Sequence, residues 1–187
     1  MSHFKEIYDL PIYENLLDSL DDSVMHCLQT KGQVCINTVS GYENDFMLGV
    51  GSLLKNWEDK KSSNVNGISK IDVPDKKDRF FEKDFTVICN QFKDSPFEDI
   101  FESLKKRYDF VGRVRLFKSE PLTCLSWHND YSKRVHYPIK TQEGCLMIID
   151  DEVTHLKQNI WYETDTSKLH TALNASKESR IHLVGVV

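Results

Sequence analysis

The spacing of apolar residues changes near residue 110, and the two parts of the chain predict different kinds of structure. In the first part, apolar residues within Pro11–Leu28 recur at helical intervals and predict an amphipathic helix that Gly32 ends. A second helix is predicted to begin at Ser95, with Pro96 in its first turn and Glu98 completing a capping box. Its apolar stripe is expected to face a core and comprises Phe97, Ile100, Phe101, Leu104 and Tyr108.

The stretch between the two predicted helices has a weaker pattern. Gln33–Val39 and Phe85–Cys89 are alternating or rich in β-branched residues, so each predicts a short strand. Ser40 to about Lys83 contains several glycines and a charged, polar run, and it predicts long connections with little core. Loops of this length in a compact domain are often functional lids, but a solvated insertion with no role at the site explains the composition equally well.

The second part of the chain is a dense series of short β-type segments. Turn residues separate several of them and no helical pattern intervenes, which predicts a sandwich or barrel. We therefore expect a mainly β protein with flanking helices, in which residues 1–110 support a core formed by residues 111–187 within one structural domain. The eight predicted strands are Val111–Lys118, Thr123–Asn129, Arg134–Lys140, Gly144–Ile149, Val153–Gln158, Ile160–Glu163, Leu169–Asn174 and Arg180–Val187.

The composition excludes several classes of function. The 187 residues carry a formal net charge of −5, which argues against a protein that coats nucleic acid. No apolar run reaches the ~20 residues of a membrane span, and the first residues lack a signal-peptide pattern. The five cysteines have no CxxC spacing and are typical of a reduced cytoplasm, where we expect the protein to act. The oligomeric state stays open.

The candidate chemistry lies in the β half. His128 and Asp130 are two residues apart, so in a strand their side chains leave on the same face. His170 follows forty residues later and can return on another strand. Two imidazoles and one carboxylate are the ligand set of a facial-triad, non-haem Fe(II) site. These three residues are therefore the candidate metal ligands and catalytic centre.

Two Arg-x-His pairs accompany this candidate triad. Arg134 shares a strand face with His136, and Arg180 shares one with His182. If these faces point into the barrel, they bury donors and cations that need an anionic partner. Arginine also presents the forked donor geometry that binds a carboxylate, which favours an acidic small-molecule ligand. Arg113 and Arg115 share a further face, from which one of them can reach the same cavity.

The segment from Gly112 onward resembles the aspartyl/asparaginyl β-hydroxylase-like branch of the Fe(II)/2-oxoglutarate-dependent oxygenases, including small members from phages and bacteria. The resemblance implies a double-stranded β-helix, a cupin-like jelly roll of eight antiparallel strands. It covers about 75 residues well and rests on Gly112–Leu116, Trp127–Asp130, Arg134–Ile139, Trp161–Thr166, His170–Asn174 and Arg180–Val184.

This resemblance also implies roles for single residues. His128, Asp130 and His170 would bind Fe(II), and Arg180 would bind the far carboxylate of 2-oxoglutarate. Arg134 and His136 match positions that line the 2-oxoglutarate site in this branch. Some members lack the carboxylate ligand, whereas this chain keeps Asp130, which favours hydroxylation over halogenation. The implied reaction uses O₂ and 2-oxoglutarate to hydroxylate a substrate, and releases succinate and CO₂.

Two other functions fit the same residues. A cupin-like metalloenzyme would keep the metal but not use 2-oxoglutarate, and a non-catalytic module would bind 2-oxoglutarate or metal without turnover. The substrate is expected to be a small molecule resembling an amino acid, or a peptidyl side chain. The candidate substrate-binding residues are Asn129, Tyr131, Tyr42 and Asn44.

Overall fold

The computed structural model describes residues 2–51, 53, 62–65, 68–71 and 79–187. It contains two α-helices, α1 (Asp22–Lys31) and α2 (Pro96–Arg107), together with short 3-10 helices that include Glu82–Asp84. The strands are β1 (Phe4–Ile7), β2 (Gln33–Cys35), β3 (Asn37–Val39), β4 (Ser62–Val65), β5 (Ile68–Ile71), β6 (Phe85–Ile88), β7 (Val114–Ser119), β8 (Thr123–Cys124), β9 (Arg134–Lys140), β10 (Cys145–Ile149), β11 (Glu152–Thr154), β12 (Trp161–Thr164), β13 (His170–Asn174) and β14 (Arg180–Val186).

Two antiparallel sheets form the core of the fold. The larger sheet has the order β1-β12-β9-β14-β7-β2, and the smaller sheet has the order β11-β10-β13-β8. From β7 to β14 the chain passes back and forth between the two sheets, as in a double-stranded β-helix. The predicted jelly-roll fold and all eight of its predicted strands are confirmed, although some strands are shorter than expected.

The N-terminal part adds to both edges of the larger sheet. Strand β1 pairs with β12, and β2 pairs with β7, so residues outside 111–187 complete the sheet. Apolar side chains of both helices, such as Leu28 and Phe101, pack in one buried cluster with apolar side chains of the sheet. The sheet residues include Val135, Tyr137 and Leu183. On β9 these apolar positions alternate with Arg134 and His136, so the cluster and the polar residues occupy opposite faces of one sheet.

Several local predictions need correction. The helix expected over Pro11–Leu28 is a 3-10 helix at Leu16–Ser19 followed by α1, because Asp21 caps a new start by accepting a hydrogen bond from the Val24 amide. The predicted strand Gln33–Val39 is divided at Ile36 into β2 and β3, which belong to different sheets.

Two further predictions change in detail. Ser95 caps α2 as expected, but the Glu98 carboxylate accepts from the Asp94 amide rather than from Ser95. Within residues 40–83, the antiparallel pair β4–β5 replaces part of the expected connections, and other parts of that prediction lie outside the described residues.

All five cysteines are unpaired. In the part of the chain that the structure describes, no helix is long and apolar enough to cross a membrane.

Candidate active site

His128 and His170 are held side by side by the backbone of the smaller sheet. The His128 amide donates to the His170 carbonyl at 3.0 Å, and the reciprocal bond measures 2.9 Å. This antiparallel bridge points both imidazoles to one side, and their ring centroids lie 4.2 Å apart. The strand predicted over Thr123–Asn129 is therefore reduced to β8 and this single bridge, which still places His128 correctly.

Asp130 follows in a turn rather than in a strand. Its amide donates to the Thr166 carbonyl at 2.9 Å, which fixes the turn against the chain between β12 and β13. Its carboxylate reaches the His170 Nε2 at 3.8 Å. One ligand atom from each of His128, Asp130 and His170 lies within 4.8 Å of the others, and this is the only such group found among the described residues.

The hydrogen bonds of the two imidazoles suit metal ligation. His128 Nδ1 lies 2.7 Å from the Ser126 carbonyl, and His170 Nδ1 lies 3.0 Å from the Lys168 carbonyl. Because a carbonyl only accepts, each Nδ1 carries the proton and each Nε2 keeps its lone pair. Burial lowers the pKa of His170, which favours the neutral form that a metal requires. This donor set fits a divalent metal with open coordination positions.

A cavity extends from this group into the space between the two sheets. Both predicted Arg-x-His faces point into it, so the expectation of an inward-facing polar interior is met in the structure. Its polar lining residues are His128, Asp130, His170, Arg134, His136, Arg180, His182, Arg115 and Thr166. A smaller cavity beside Cys145 and Met147 shares Arg180, His136 and His182 with it.

The positive charge of this cavity comes from arginines, because its inner histidines are neutral. Burial, with help from Arg180 and Arg134, lowers the pKa of His136 to about 3. Burial also lowers the pKa of His182 well below its usual range, and the two rings meet edge to face at 5.9 Å. Both rings can therefore donate or accept a hydrogen bond at neutral pH without adding charge.

Arg180 is a buried cation with no acidic partner. It is 5% exposed, and no carboxylate among the described residues lies within 4.0 Å of its guanidinium. Its Nε is buried and has no hydrogen-bond acceptor in the part of the chain that the structure describes. Burial lowers the pKa of Arg180, yet an arginine stays charged at neutral pH. A buried charge of this kind is a candidate for binding an anionic ligand.

Arg134 lies closer to the candidate metal ligands and is already paired. Its Nη2 is 3.1 Å from Asp130 Oδ1 and 2.9 Å from Glu82 Oε2. The sequence interpretation missed Glu82, because it lies in a stretch without a clear pattern and far from the triad along the chain.

Arg113, just before β7, and Arg115, within β7, have different partners. Arg115 lines the cavity and donates to Gln33 Oε1 at 3.0 Å, whereas Arg113 binds Glu82 and the Gly49 carbonyl. Burial, with a further contribution from Arg113, lowers the pKa of Arg115 to about 10, so it too remains charged. The sequence indicated that one arginine of this pair reaches the cavity, and the structure identifies it as Arg115.

The four candidate substrate residues lie in two places. Asn129 and Tyr131 line an outer cleft that opens on Asp130 and Arg134, and Tyr131 is fully exposed there. Tyr42 packs edge to face on Phe80, and Asn44 accepts a hydrogen bond from Asn90 at 2.7 Å. Neither Tyr42 nor Asn44 is among the described residues that line the inner cavity or the outer cleft.

The outer cleft has a different lining from the inner cavity. Its wall combines charged and aromatic side chains, and two of the aromatic ones, Phe81 and Phe110, are 48% and 41% exposed. Because Asp130 and Arg134 line both spaces, a ligand in the cleft and a ligand in the cavity would meet at the candidate metal group.

The chain belongs to the aspartyl/asparaginyl β-hydroxylase family, whose model matches residues 82–186. Membership of this family points to an oxidoreductase of the oxygenase class. The matched segment contains the whole candidate metal group, both Arg-x-His pairs and Glu82. No curated protein matches the chain.

Solved structures similar to this chain include a protein of the 2OG-Fe(II) oxygenase family and cupin domains. An oxidoreductase of the 2OG-Fe(II) oxygenase family from Burkholderia pseudomallei is 15% identical, with 41% of this chain and 42% of that protein covered and a TM-score of 0.38. AviO1 from Streptomyces viridochromogenes Tue57 is 14% identical over 98% of this chain and 89% of its own, with a TM-score of 0.46. A cupin domain from Bordetella pertussis is 18% identical over 40% and 78%, with a TM-score of 0.35. The match thus spans less than half of the Burkholderia protein.

Proposed function

We propose that this protein is an Fe(II)- and 2-oxoglutarate-dependent oxygenase that hydroxylates an amino-acid-like or peptidyl substrate. One observation carries the proposal: a His-Asp-His group opens into a cavity that also contains Arg180, a buried cation without an acidic partner among the described residues. A metal ion at one position and a buried guanidinium at another are what a keto-diacid needs at its two ends.

His128, Asp130 and His170 would hold the Fe(II). Their Nε2 and carboxylate oxygens converge, while the backbone bridge and the Nδ1 hydrogen bonds keep both imidazoles from rotating. When bound, the iron with 2-oxoglutarate and O₂ would supply the oxidising chemistry that converts a C–H bond of the substrate to C–OH, with release of succinate and CO₂.

The arginines and histidines would orient the co-substrate. Arg180 would bind its far carboxylate in a two-point contact, and Arg134 and His136 would contact the end nearest the metal. The neutral His136 and His182 add hydrogen-bonding groups without further charge. Apolar side chains, among them Phe117, Met147 and Val184, form the rest of the lining and would limit the entry of water.

The outer cleft is the proposed place for the substrate. It shares Asp130 and Arg134 with the inner cavity but none of its other described lining residues, so a side chain or small molecule in it would approach the candidate metal group without occupying the co-substrate cavity. Asn129 and Tyr131 lie at its wall and are the substrate contacts that we propose to test. Either a small molecule or a peptidyl side chain fits an open cleft of this kind.

The proposal is tested first by binding and then by turnover. Without oxygen, the protein loaded with Mn(II) should bind 2-oxoglutarate, and with Fe(II) in air it should form succinate. His170→Ala should lose both properties. His26→Ala, which removes an exposed histidine on α1, is the matched control and should keep both.

Two results would replace the proposal with another function. Metal binding at His128, Asp130 and His170 without any binding of 2-oxoglutarate would indicate a cupin-like metalloenzyme of another kind. Binding of both metal and 2-oxoglutarate, with no oxygen consumption across free amino acids and peptides, would indicate a non-catalytic binding module.

A further inference from the structure

Four charged side chains of alternating sign form a chain of ion pairs that ends at the candidate metal group. Arg113 Nη2 lies 2.8 Å from Glu82 Oε1, and Glu82 Oε2 lies 2.9 Å from Arg134 Nη2. The same Arg134 nitrogen lies 3.1 Å from Asp130 Oδ1. Arg134 therefore pairs with two carboxylates. One belongs to Asp130, a candidate metal ligand, and the other belongs to Glu82.

The position of Glu82 is fixed by its surroundings. It begins the 3-10 helix Glu82–Asp84, and its side chain is 19% exposed. The backbone of Glu82 lies against Gly112, where an added Cβ would come within 2.7 Å of the Glu82 carbonyl oxygen. Arg113, which also binds the Gly49 carbonyl, holds one carboxylate oxygen and leaves the other for Arg134. The contact with Arg134 is therefore built into the fold.

This arrangement affects the metal ligand through Arg134. Arg134 Nη1 donates to Ser132 Oγ at 2.7 Å, so Nη2 is the nitrogen that the two carboxylates share. Without Glu82, the charge of Arg134 would have Asp130 as its single carboxylate partner. A divalent cation would then have to compete with the guanidinium for that carboxylate and would meet an uncompensated positive charge beside the site. Glu82 supplies the compensating charge, so Arg134 needs only one contact with Asp130, whose Oδ2 faces His170.

We propose that Glu82 is a positioning residue, which holds Arg134 beside the metal site and keeps Asp130 available to the metal ion. This inference rests on the proposed function, because it assumes that His128, Asp130 and His170 bind a divalent metal. It extends the site to a residue that contacts no candidate metal ligand directly.

The first test is the affinity of the purified full-length protein for Mn(II), measured by calorimetry without 2-oxoglutarate. We expect Glu82→Gln to weaken Mn(II) binding about tenfold, as for other residues that orient metal ligands from outside the ligand shell. Asp84→Asn is the matched control. It removes the same charge from the same 3-10 helix, where Asp84 accepts a hydrogen bond from the Phe81 amide, and it should leave the Mn(II) affinity within about twofold of wild type.

The second test asks whether Glu82 acts through Arg134. In an Arg134→Gln background, Glu82→Gln should change the Mn(II) affinity by about twofold or less, because the residue that transmits its effect is absent. A full tenfold loss in that background, or no loss in the wild-type background, would overturn the inference. Circular dichroism spectra and melting temperatures establish that each variant is folded.

Two further variants keep the outcomes separable. If Glu82→Gln does not fold, Glu82→Asp replaces it, because aspartate keeps the charge and withdraws the carboxylate by one methylene. Glu82→Asp should weaken Mn(II) binding by a smaller factor. An unchanged Mn(II) affinity would count against the inference. Asp130→Ala tests the underlying assumption. If wild type and Asp130→Ala bind Mn(II) equally, the proposed metal site itself is wrong, whereas a failure confined to the Glu82 variants refutes only the positioning role.

Discussion

Arg180 lies on β14 with its side chain almost entirely removed from solvent and with no carboxylate within salt-bridge distance in the described part of the chain. Transferring a charge from water into such a place is unfavourable unless a partner compensates it. We therefore expect the buried charge of Arg180 to cost the folded protein free energy unless a ligand carboxylate compensates it. An entering carboxylate would recover that cost as binding free energy.

Replacing Arg180 by methionine should separate its effect on stability from its effect on ligand binding. We expect Arg180→Met to raise the free energy of unfolding of the ligand-free protein by about 1–3 kcal/mol, because the buried charge is removed and the volume is largely kept. The same change should weaken 2-oxoglutarate binding to the Mn(II)-loaded protein on the order of 100-fold. Urea denaturation and calorimetry measure the two quantities.

The control for Arg180→Met is Lys140→Met, which removes an equal charge from a partly exposed side chain that pairs with Glu178. It should change both quantities little, since exposed ion pairs contribute about 0–1 kcal/mol. An Arg180→Met protein that binds 2-oxoglutarate as tightly as wild type would contradict the role proposed for Arg180.

His136 should make the protein sensitive to acid. Its pKa is lowered from 6.5 to about 3, first by burial and then by the charges of Arg180, Arg134, His170 and Arg115 around it. Below pH 6.5 the unfolded chain takes up a proton at this residue and the folded protein does not, so stability falls as the pH falls from about 6.5 toward 3. Between pH 6.5 and pH 5 this amounts to about 1–2 kcal/mol.

The measurement is the free energy of unfolding in urea at pH 7.5, 6.5 and 5.5. His136→Gln removes the titrating group, so its stability should decline less than that of wild type over this range. His26→Gln, at an exposed position on α1, should follow the wild-type curve. Equal slopes for wild type and His136→Gln would show that His136 does not contribute to the acid sensitivity.

At the scale of elements, one asparagine organises the point where the chain leaves the larger sheet. Strand β2 pairs with β7, and two residues later β3 pairs with β6. Asn37 is fully buried at this junction; its amide donates to the carbonyls of Phe85 and Gly112 at 2.6 and 2.8 Å. Its Oδ1 accepts from the Val114 amide at 2.7 Å. The side chain thus replaces the backbone bonds that the change of sheet interrupts.

Asn37→Ala should destabilise the fold by about 3 kcal/mol, because it leaves three buried backbone groups without partners. Asn90→Ala is the matched control, since Asn90 is exposed and its amide donates to Asn44; it should cost less than about 0.5 kcal/mol. Denaturation midpoints of the two variants provide the comparison. A small effect of Asn37→Ala would mean that water satisfies the freed groups.

The elements that the sequence predicted well are those whose pattern has a single explanation. In β9 and β14, charged and apolar residues alternate, and the structure buries one set in the cavity and the other against the helices. The helix predicted over Pro11–Leu28 was wrong because apolar spacing outweighed the capping signal of Asp21. The break at Ile36 could not be predicted, since it depends on the partners that Asn37 finds in distant segments.

The candidate site shows the same division between local and distant information. The Arg-x-His pairs were found because their spacing follows from strand geometry, whereas His128, Asp130 and His170 were found from their residue types, since Asp130 lies in a turn. Glu82 was not found, because a carboxylate in a weakly patterned stretch gives no signal until the fold places it beside Arg134.

At the scale of the whole molecule, the jelly roll and the N-terminal part share one core. The cluster that contains Leu28 of α1 and Phe101 of α2 also contains Val135 of β9 and Leu183 of β14. The opposite faces of those two strands carry the polar residues of the cavity. The geometry of the candidate site therefore depends on helices that contribute no residue to it, and we propose that residues 1–110 and 111–187 unfold together as one structural domain.

A large truncation in α2 tests this proposal at a distance from the site. Phe101 is 1% exposed, so Phe101→Ala should lower the free energy of unfolding by about 3–5 kcal/mol, whereas Phe81→Ala, at a residue that is 48% exposed, should have a small effect. If the chain is one cooperative unit, tryptophan fluorescence, which includes Trp161 of β12, and far-UV circular dichroism should give coincident urea transitions in wild type. Both transitions should shift equally in Phe101→Ala. Two separate transitions, with the fluorescence of the β core unshifted, would instead show that residues 111–187 fold without the support of the helices.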